Sequence, residues 1–143
     1  MSAPRALVVE ASLRRRLEVM DALAAVFEVE ALPEGEGPAR AARRGRYALA
    51  VISAEPDPDE ALRAARALRA DFSAPPAVLL VDPVGRLADP GGLLRPEQAQ
   101  GVWVGAPEAA GLRALALDCL RGAGRVVQAP RPLGFLRRLL TRR

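Results

Sequence analysis

The chain has 143 residues, a formal charge of +4 and a pI near 10.8; half of its residues are apolar and 3% are aromatic. That length suits one domain that buries roughly two-thirds of its unfolded surface, and the few aromatics leave Leu, Val and Ala to build the core. One cysteine and no Lys, His or Asn exclude an intrachain disulfide, thiolate or imidazole metal cages, an imidazole base, a Schiff-base lysine and a Walker lysine.

"RALVVE" (5 to 10) is a run of β-formers that predicts a strand buried on both faces and ending in Glu10. Ser12 is placed to cap a helix from Leu13, where Leu13, Leu17, Met20, Leu23, Ala24 and Phe27 recur at helical spacing. "FEVEAL" (27 to 32) alternates as an edge strand does. "GPARAARRG" predicts a short helix with Pro38 in its first turn and Gly45 as its stop. "YALAVIS" (47 to 53) is a buried strand at the centre of the sheet, and "DPDEALRAARALRADF" a helix that starts with Asp57 or Asp59 at the positive end of its dipole. "PAVLLVD" (76 to 82) is a third buried strand. "PVGRLADPGGLLRPEQAQG" leaves room for one helical turn at most, near 96 to 100. "GVWVG" (101 to 105) is a last strand, and "PEAAGLRALALDCLRG" a last amphipathic helix ending at Gly122, with Cys119 an inert core thiol.

"AGRVVQAPRP" reads as a linker and "LGFLRRLLTRR" as a short basic amphipathic helix, dividing the chain into a domain over 4–122 and a linker plus C-terminal helix over 123–143. Residues 131–143 carry five arginines and no acid, against sixteen arginines and seventeen acids in the rest, so the basicity belongs to the tail. No apolar run approaches the roughly 18 residues of a membrane span, and the brief apolar run in "MSAPRALVVE" is too short for a secretory signal core. A soluble, cytoplasmic protein is expected. Arginine in place of lysine fits either a GC-rich genome or a hot habitat.

Strands and helices alternate five times, which predicts an α/β fold with a parallel sheet and helices on both faces. Such folds place their sites at the carboxyl ends of the strands, here Glu10, Ala11, Ser53, Val81, Asp82, Gly105 and Ala106.

Over about residues 4 to 122 the chain resembles the receiver domains of two-component response regulators. "ALVVEAS" stands where receivers have a strand ending in paired acids, "YALAVIS" where a strand ends in the phosphorylated aspartate, and "PAVLLVD" where a strand ends in Thr or Ser. "GVWVGAP" stands where receivers have an aromatic followed by a Lys-Pro pair. The resemblance implies a five-stranded, doubly wound CheY-like sheet of order 2-1-3-4-5 with the fourth helix short or missing, in a bacterial signalling setting. In receivers the acid pair and the acceptor aspartate hold Mg²⁺, which needs carboxylate oxygens. The matching positions here read Glu10, Ala11 and Ser53; the lysine position is Ala106 and the hydroxyl position Val81. Phosphoryl transfer is almost entirely positioning and charge neutralisation, so these losses together imply a pseudo-receiver with no catalytic residue, no metal and no cofactor. Glu10 is then expected to accept local hydrogen bonds or pair with an arginine such as Arg14. Ala106-Pro107 matches a family cis bond.

The leading expectation is a non-enzymatic, phosphorylation-independent module that binds a protein partner or forms a homodimer through its last strand and last helices. Trp103 either fills space or, if exposed, anchors that interface, with Leu112, Arg113 and Leu115 beside it. The alternative is an adaptor whose tail, with Phe135, Leu136, Arg137 and Arg138, binds an anionic membrane surface, nucleic acid or an acidic partner. Specific DNA reading is disfavoured, because no recognition helix with base-reading Asn or Gln is visible.

Overall fold

The computed structural model describes residues 2–70 and 73–130. In chain order the elements are β1 (Arg5–Val9), α1 (Leu13–Leu23), β2 (Glu28–Ala31), α2 (Pro38–Arg44), β3 (Leu49–Ser53), α3 (Pro58–Ala70), β4 (Ala77–Asp82), a 3-10 turn (Gly91–Leu93), β5 (Gly101–Val104), α4 (Ala109–Leu120) and β6 (Val126–Gln128). The strands form one parallel sheet of order β2-β1-β3-β4-β5-β6. All strand carboxyl ends therefore lie at one end of the sheet.

Alternation along the strands sorts the core into two layers. Ala6, Val8, Val51, Leu79, Val81 and Trp103 face α1 and α4, whose Val19, Leu23, Leu112 and Leu115 pack on them. Leu7, Ala50, Ile52, Val78, Leu80 and Val102 face α2 and α3, which present mainly alanines together with Leu68. Small residues bring those two helices close to the sheet.

The helix starts follow local chemistry. Ser12 Oγ accepts the Arg15 N–H at 3.4 Å, a cap worth about 1 kcal/mol. Asp57, and not Asp59, caps α3: its Oδ1 accepts the N–H groups of Asp59 and Glu60 at 3.1 and 3.2 Å. Glu108 caps α4 through Ala110 and Gly111.

Three expectations are corrected. The sheet has six strands among the described residues, not five, because Val126–Gln128, read from sequence as part of a linker, extends it beside β5. Val102 N–H donates to Arg125 O at 3.1 Å and Ala129 N–H to Val104 O at 2.7 Å. Gly124 lets the chain approach this edge, since a Cβ there would overlap the Gln100 carbonyl oxygen. Between β4 and β5 the helical turn lies at Gly91–Leu93 rather than near 96 to 100, consistent with a fourth receiver helix reduced to a turn. The cis bond among the described residues is Glu55-Pro56, not Ala106-Pro107.

No helix among the described residues is long and apolar enough to cross a membrane.

Candidate functional site

The carboxyl ends of β1, β3 and β4 bring the expected positions together. Glu10, just past β1, is buried. Its Oε2 accepts the Ser12 N–H at 3.1 Å and its Oε1 the Arg15 Nε–H at 2.8 Å. Arg14, the expected partner, instead reaches Glu18 at 3.3 Å, one turn along the exposed face of α1. The register of the helix explains the difference: Arg15 turns back toward the strand end, and Arg14 turns outward.

Ser53 ends β3 and is buried; its Oγ accepts the Glu55 N–H at 3.2 Å. In register beside it stands Val81, and beside Val81 stands Trp103. Ala106 is exposed, and its carbonyl accepts the Trp103 indole N–H at 3.0 Å. Asp82 is fully buried, its two carboxylate oxygens accepting the N–H groups of Arg86 and Leu87 at 2.8 and 2.9 Å. Arg86 returns over the strand ends to Glu55, with Nε 2.7 Å from Oε1, an ion pair whose groups are not aligned as a hydrogen bond. Behind Ser53, between the starts of α2 and α3, opens a cleft of about 300 Å³.

No family model matches the chain, and no curated protein matches it in sequence. Solved structures do. The signal receiver domain of a NarL response regulator from Mycobacterium tuberculosis superposes with a TM-score of 0.67 at 18% identity, over 85% of this chain and 99% of that one. The signal receiver domain of a Luxo repressor protein from Vibrio parahaemolyticus also gives 0.67, at 16% identity over 99% and 100%. A response regulator from Thermotoga maritima gives 0.51 at 16% identity, over 97% and 95%. The fold is that of a receiver domain.

On this receiver fold the donor set at the strand ends does not fit Mg²⁺. A hard octahedral cation needs several oxygens, whereas Ala11 offers none, Ser53 offers a hydroxyl already engaged, and both Glu10 oxygens face Ser12 and Arg15. Of the other acids near these strand ends, Glu55 is neutralised by Arg86, and both oxygens of Asp82 hold the N–H groups of Arg86 and Leu87.

The expected interface residues are placed differently from the sequence reading. Trp103 is 1% exposed, and Leu112 and Leu115 are fully buried, so all three belong to the core. The Trp103 ring reaches α4 at Gly111, where a side chain would collide with it. Arg113 is half-buried and donates from Nε to the Ala22 carbonyl at 2.8 Å, tying α4 to α1. Phe135, Leu136, Arg137 and Arg138 lie outside the described residues. Cys119 is buried, and burial first, then the Asp118 charge, pushes its thiol up to about 12.

Sequence reading missed two groupings. One is the Glu55–Arg86 pair. The other lies at the amino end of the sheet, where Arg5 meets Glu30 at 2.6 Å, Tyr47 donates its hydroxyl to Glu30, and the Arg5 guanidinium sits 4.8 Å above the Tyr47 ring. The Tyr47 hydrogen bond, and after it Arg5, hold the Glu30 carboxyl below its usual range. Burial, then the bond to Glu30, raises Tyr47. These residues are distant in sequence, and only the β1–β2 and β1–β3 pairings join them. A groove of about 740 Å³ also opens at this amino end, lined by Arg43, Arg46 and Tyr47. It lies away from the strand ends where ligands bind in doubly wound folds.

Proposed function

We propose that the chain is a receiver-like module that acts through protein contacts and not through phosphoryl transfer. The observation that carries this reading is the state of Ser53: a buried hydroxyl that holds its own loop, in register beside Val81 where a receiver has a hydroxyl, with an exposed Ala106 at the position of the receiver lysine. A serine with no base beside it is a weak nucleophile, and the only carboxylate at the acid-pair positions is committed to Arg15. The hydrophobic layers around the site are complete, which favours a scaffold kept for its surfaces. With Trp103, Leu112 and Leu115 inside the domain, those surfaces are the outer faces of the helices. The alternative, a tail that carries the protein to an anionic membrane surface, nucleic acid or an acidic partner, falls on residues outside the described ones, and no observation on the described residues favours it.

The test is calorimetric titration of the full chain with Mg²⁺, with and without beryllofluoride as a phosphoryl analogue. The proposal expects no stoichiometric heat and no change in Trp103 fluorescence. A one-to-one Mg²⁺ isotherm strengthened by beryllofluoride would overturn it.

A further inference from the structure

We propose that the outer face of α1 is a self-association surface, on which α1 of a second copy of this chain packs antiparallel. This rests on the reading of the chain as a module that works through protein contacts, and it names the surface and its occupant.

α1 carries a seam that its own domain leaves open. Leu13, Leu17, Met20 and Ala24 recur at alternating steps of four and three residues, the spacing of the seam between two packed helices. Val19, Ala22 and Leu23, on another side of the helix, supply its buried contacts with the domain. Leu13 is 60% and Leu17 54% exposed, Met20 is half-buried and Ala24 exposed. Two leucines one turn apart therefore stand on the solvent face, where a facing helix would remove them from water. The other large exposed apolar residues among the described ones, Val84 and Leu120, stand singly on different parts of the fold.

Charge order identifies the occupant. Arg14, Arg15 and Arg16 open the helix and Glu18 and Asp21 follow, with no acid in the first turn and no base in the last. Within one chain this order opposes the helix dipole at both ends. Arg15 is used by Glu10. Arg14 reaches Glu18 along its own helix while its side chain stays 90% exposed, and Asp21 is exposed with no ion pair among the described residues. Arg14 and Asp21 lie about two turns apart on the same flank of the seam. A two-fold axis between Leu17 and Glu18 sets Arg14 of each copy against Asp21 of the other, Leu17 against Leu17, and Leu13 between Met20 and Ala24. The antiparallel neighbour also brings the negative end of its dipole beside the arginines. A parallel neighbour would set Arg14 against Arg14. One sequence supplies both halves of the match, which selects a second copy of this chain as the partner.

Size sets the strength. Eleven residues span about 16 Å, or about three turns. A seam that short buries less than the roughly 1,200 Å² at which standard interfaces begin, so the dimer is weak and reversible and forms as the concentration of the chain rises.

The test is sedimentation equilibrium of the full chain in EDTA, without phosphodonor, from micromolar to millimolar concentration. The weight-average mass should rise from 15.2 kDa toward twice that value. Leu17→Glu should weaken association by about a hundredfold, since each copy loses a leucine from the seam. Arg14→Glu and Asp21→Arg should each weaken it about tenfold. Each of those two places the charge that the helix dipole favours, so the fold is kept and Tm checks it. Mixing the two single variants should restore the parent affinity, because each supplies the charge that the other lacks, and the double variant should do the same. A chain that stays monomeric throughout, a dimer insensitive to Leu17→Glu, or single variants that fail to associate on mixing would overturn the proposal. Stoichiometric Mg²⁺ binding would refute the proposed function and leave the mass in EDTA unchanged, so the two failures are separable.

Discussion

Asp82 distinguishes a structural carboxylate from a chemical one. It is the acid at the end of β4, fully buried, and its oxygens hold the N–H groups of Arg86 and Leu87. Asp82→Ala removes both acceptors. Leu87 is buried, so its N–H would bear the full cost of an unsatisfied donor, about 1–3 kcal/mol; Arg86 is exposed, and water can replace the lost bond there for about 1 kcal/mol. The sum is about 2–4 kcal/mol, which for a domain of this size lowers Tm by about 6–12 °C. Asp82→Asn keeps one acceptor oxygen and should cost about half as much. Urea denaturation at neutral pH measures both, and hydrogen exchange at the Leu87 amide reports the same loss locally. A cost for Asp82→Ala below about 0.5 kcal/mol, the range of ordinary surface substitutions, would show that the carboxylate does not hold the loop. It would then return Asp82 to consideration as a functional acid.

Glu30 has its folded pKa lowered, chiefly by the Tyr47 hydrogen bond, so its contribution is present above the unfolded value of about 4.3 and is lost as pH falls below that value through the folded one. Urea midpoints measured from pH 5 down to pH 2 should fall less steeply for Glu30→Gln and for Tyr47→Phe than for the parent chain; identical slopes would contradict this. Cys119, with a buried thiol raised to about 12, should resist thiol reagents at pH 8 and react at the rate of unfolding in urea; rapid labelling of the native chain would refute its burial. Gly124→Ala should cost on the order of 1–3 kcal/mol through overpacking against Gln100. The same substitution should raise exchange at the Ala129 amide as β6 separates from β5.

Legibility in the sequence followed how local each feature is. β1, β3 and β4 are buried on both faces, so they stand out as continuous apolar runs, and the parallel α/β fold follows from them. Ser12, Gly45 and Asp57 act within a few residues of themselves and were also readable. β6 was not: three residues between Gly124 and Pro130 carry little signal, and pairing with β5 makes them a strand. The sequence likewise did not show which face of α4 turns inward. Leu112 and Leu115 suited an interface as well as a core, and the contact of Trp103 with Gly111 settles the matter only in three dimensions. At the site, residue types were legible and partners were not. Glu10 was singled out correctly as a local acceptor, but its arginine is Arg15, because side-chain direction on α1 decides which guanidinium turns back. Arg86 escaped notice altogether, since a loop arginine gives no indication that it returns across the strand ends to Glu55.

The central claim, that this receiver fold works without phosphoryl transfer, is tested most directly by intact-protein mass spectrometry after incubation with acetyl phosphate and Mg²⁺. The full chain should keep its mass, whereas a chain carrying Ala11→Asp, Ser53→Asp and Ala106→Lys should gain one phosphoryl group. A phosphoryl adduct on the unaltered chain, mapped to Ser53 or to a carboxylate at the strand ends, would contradict the account.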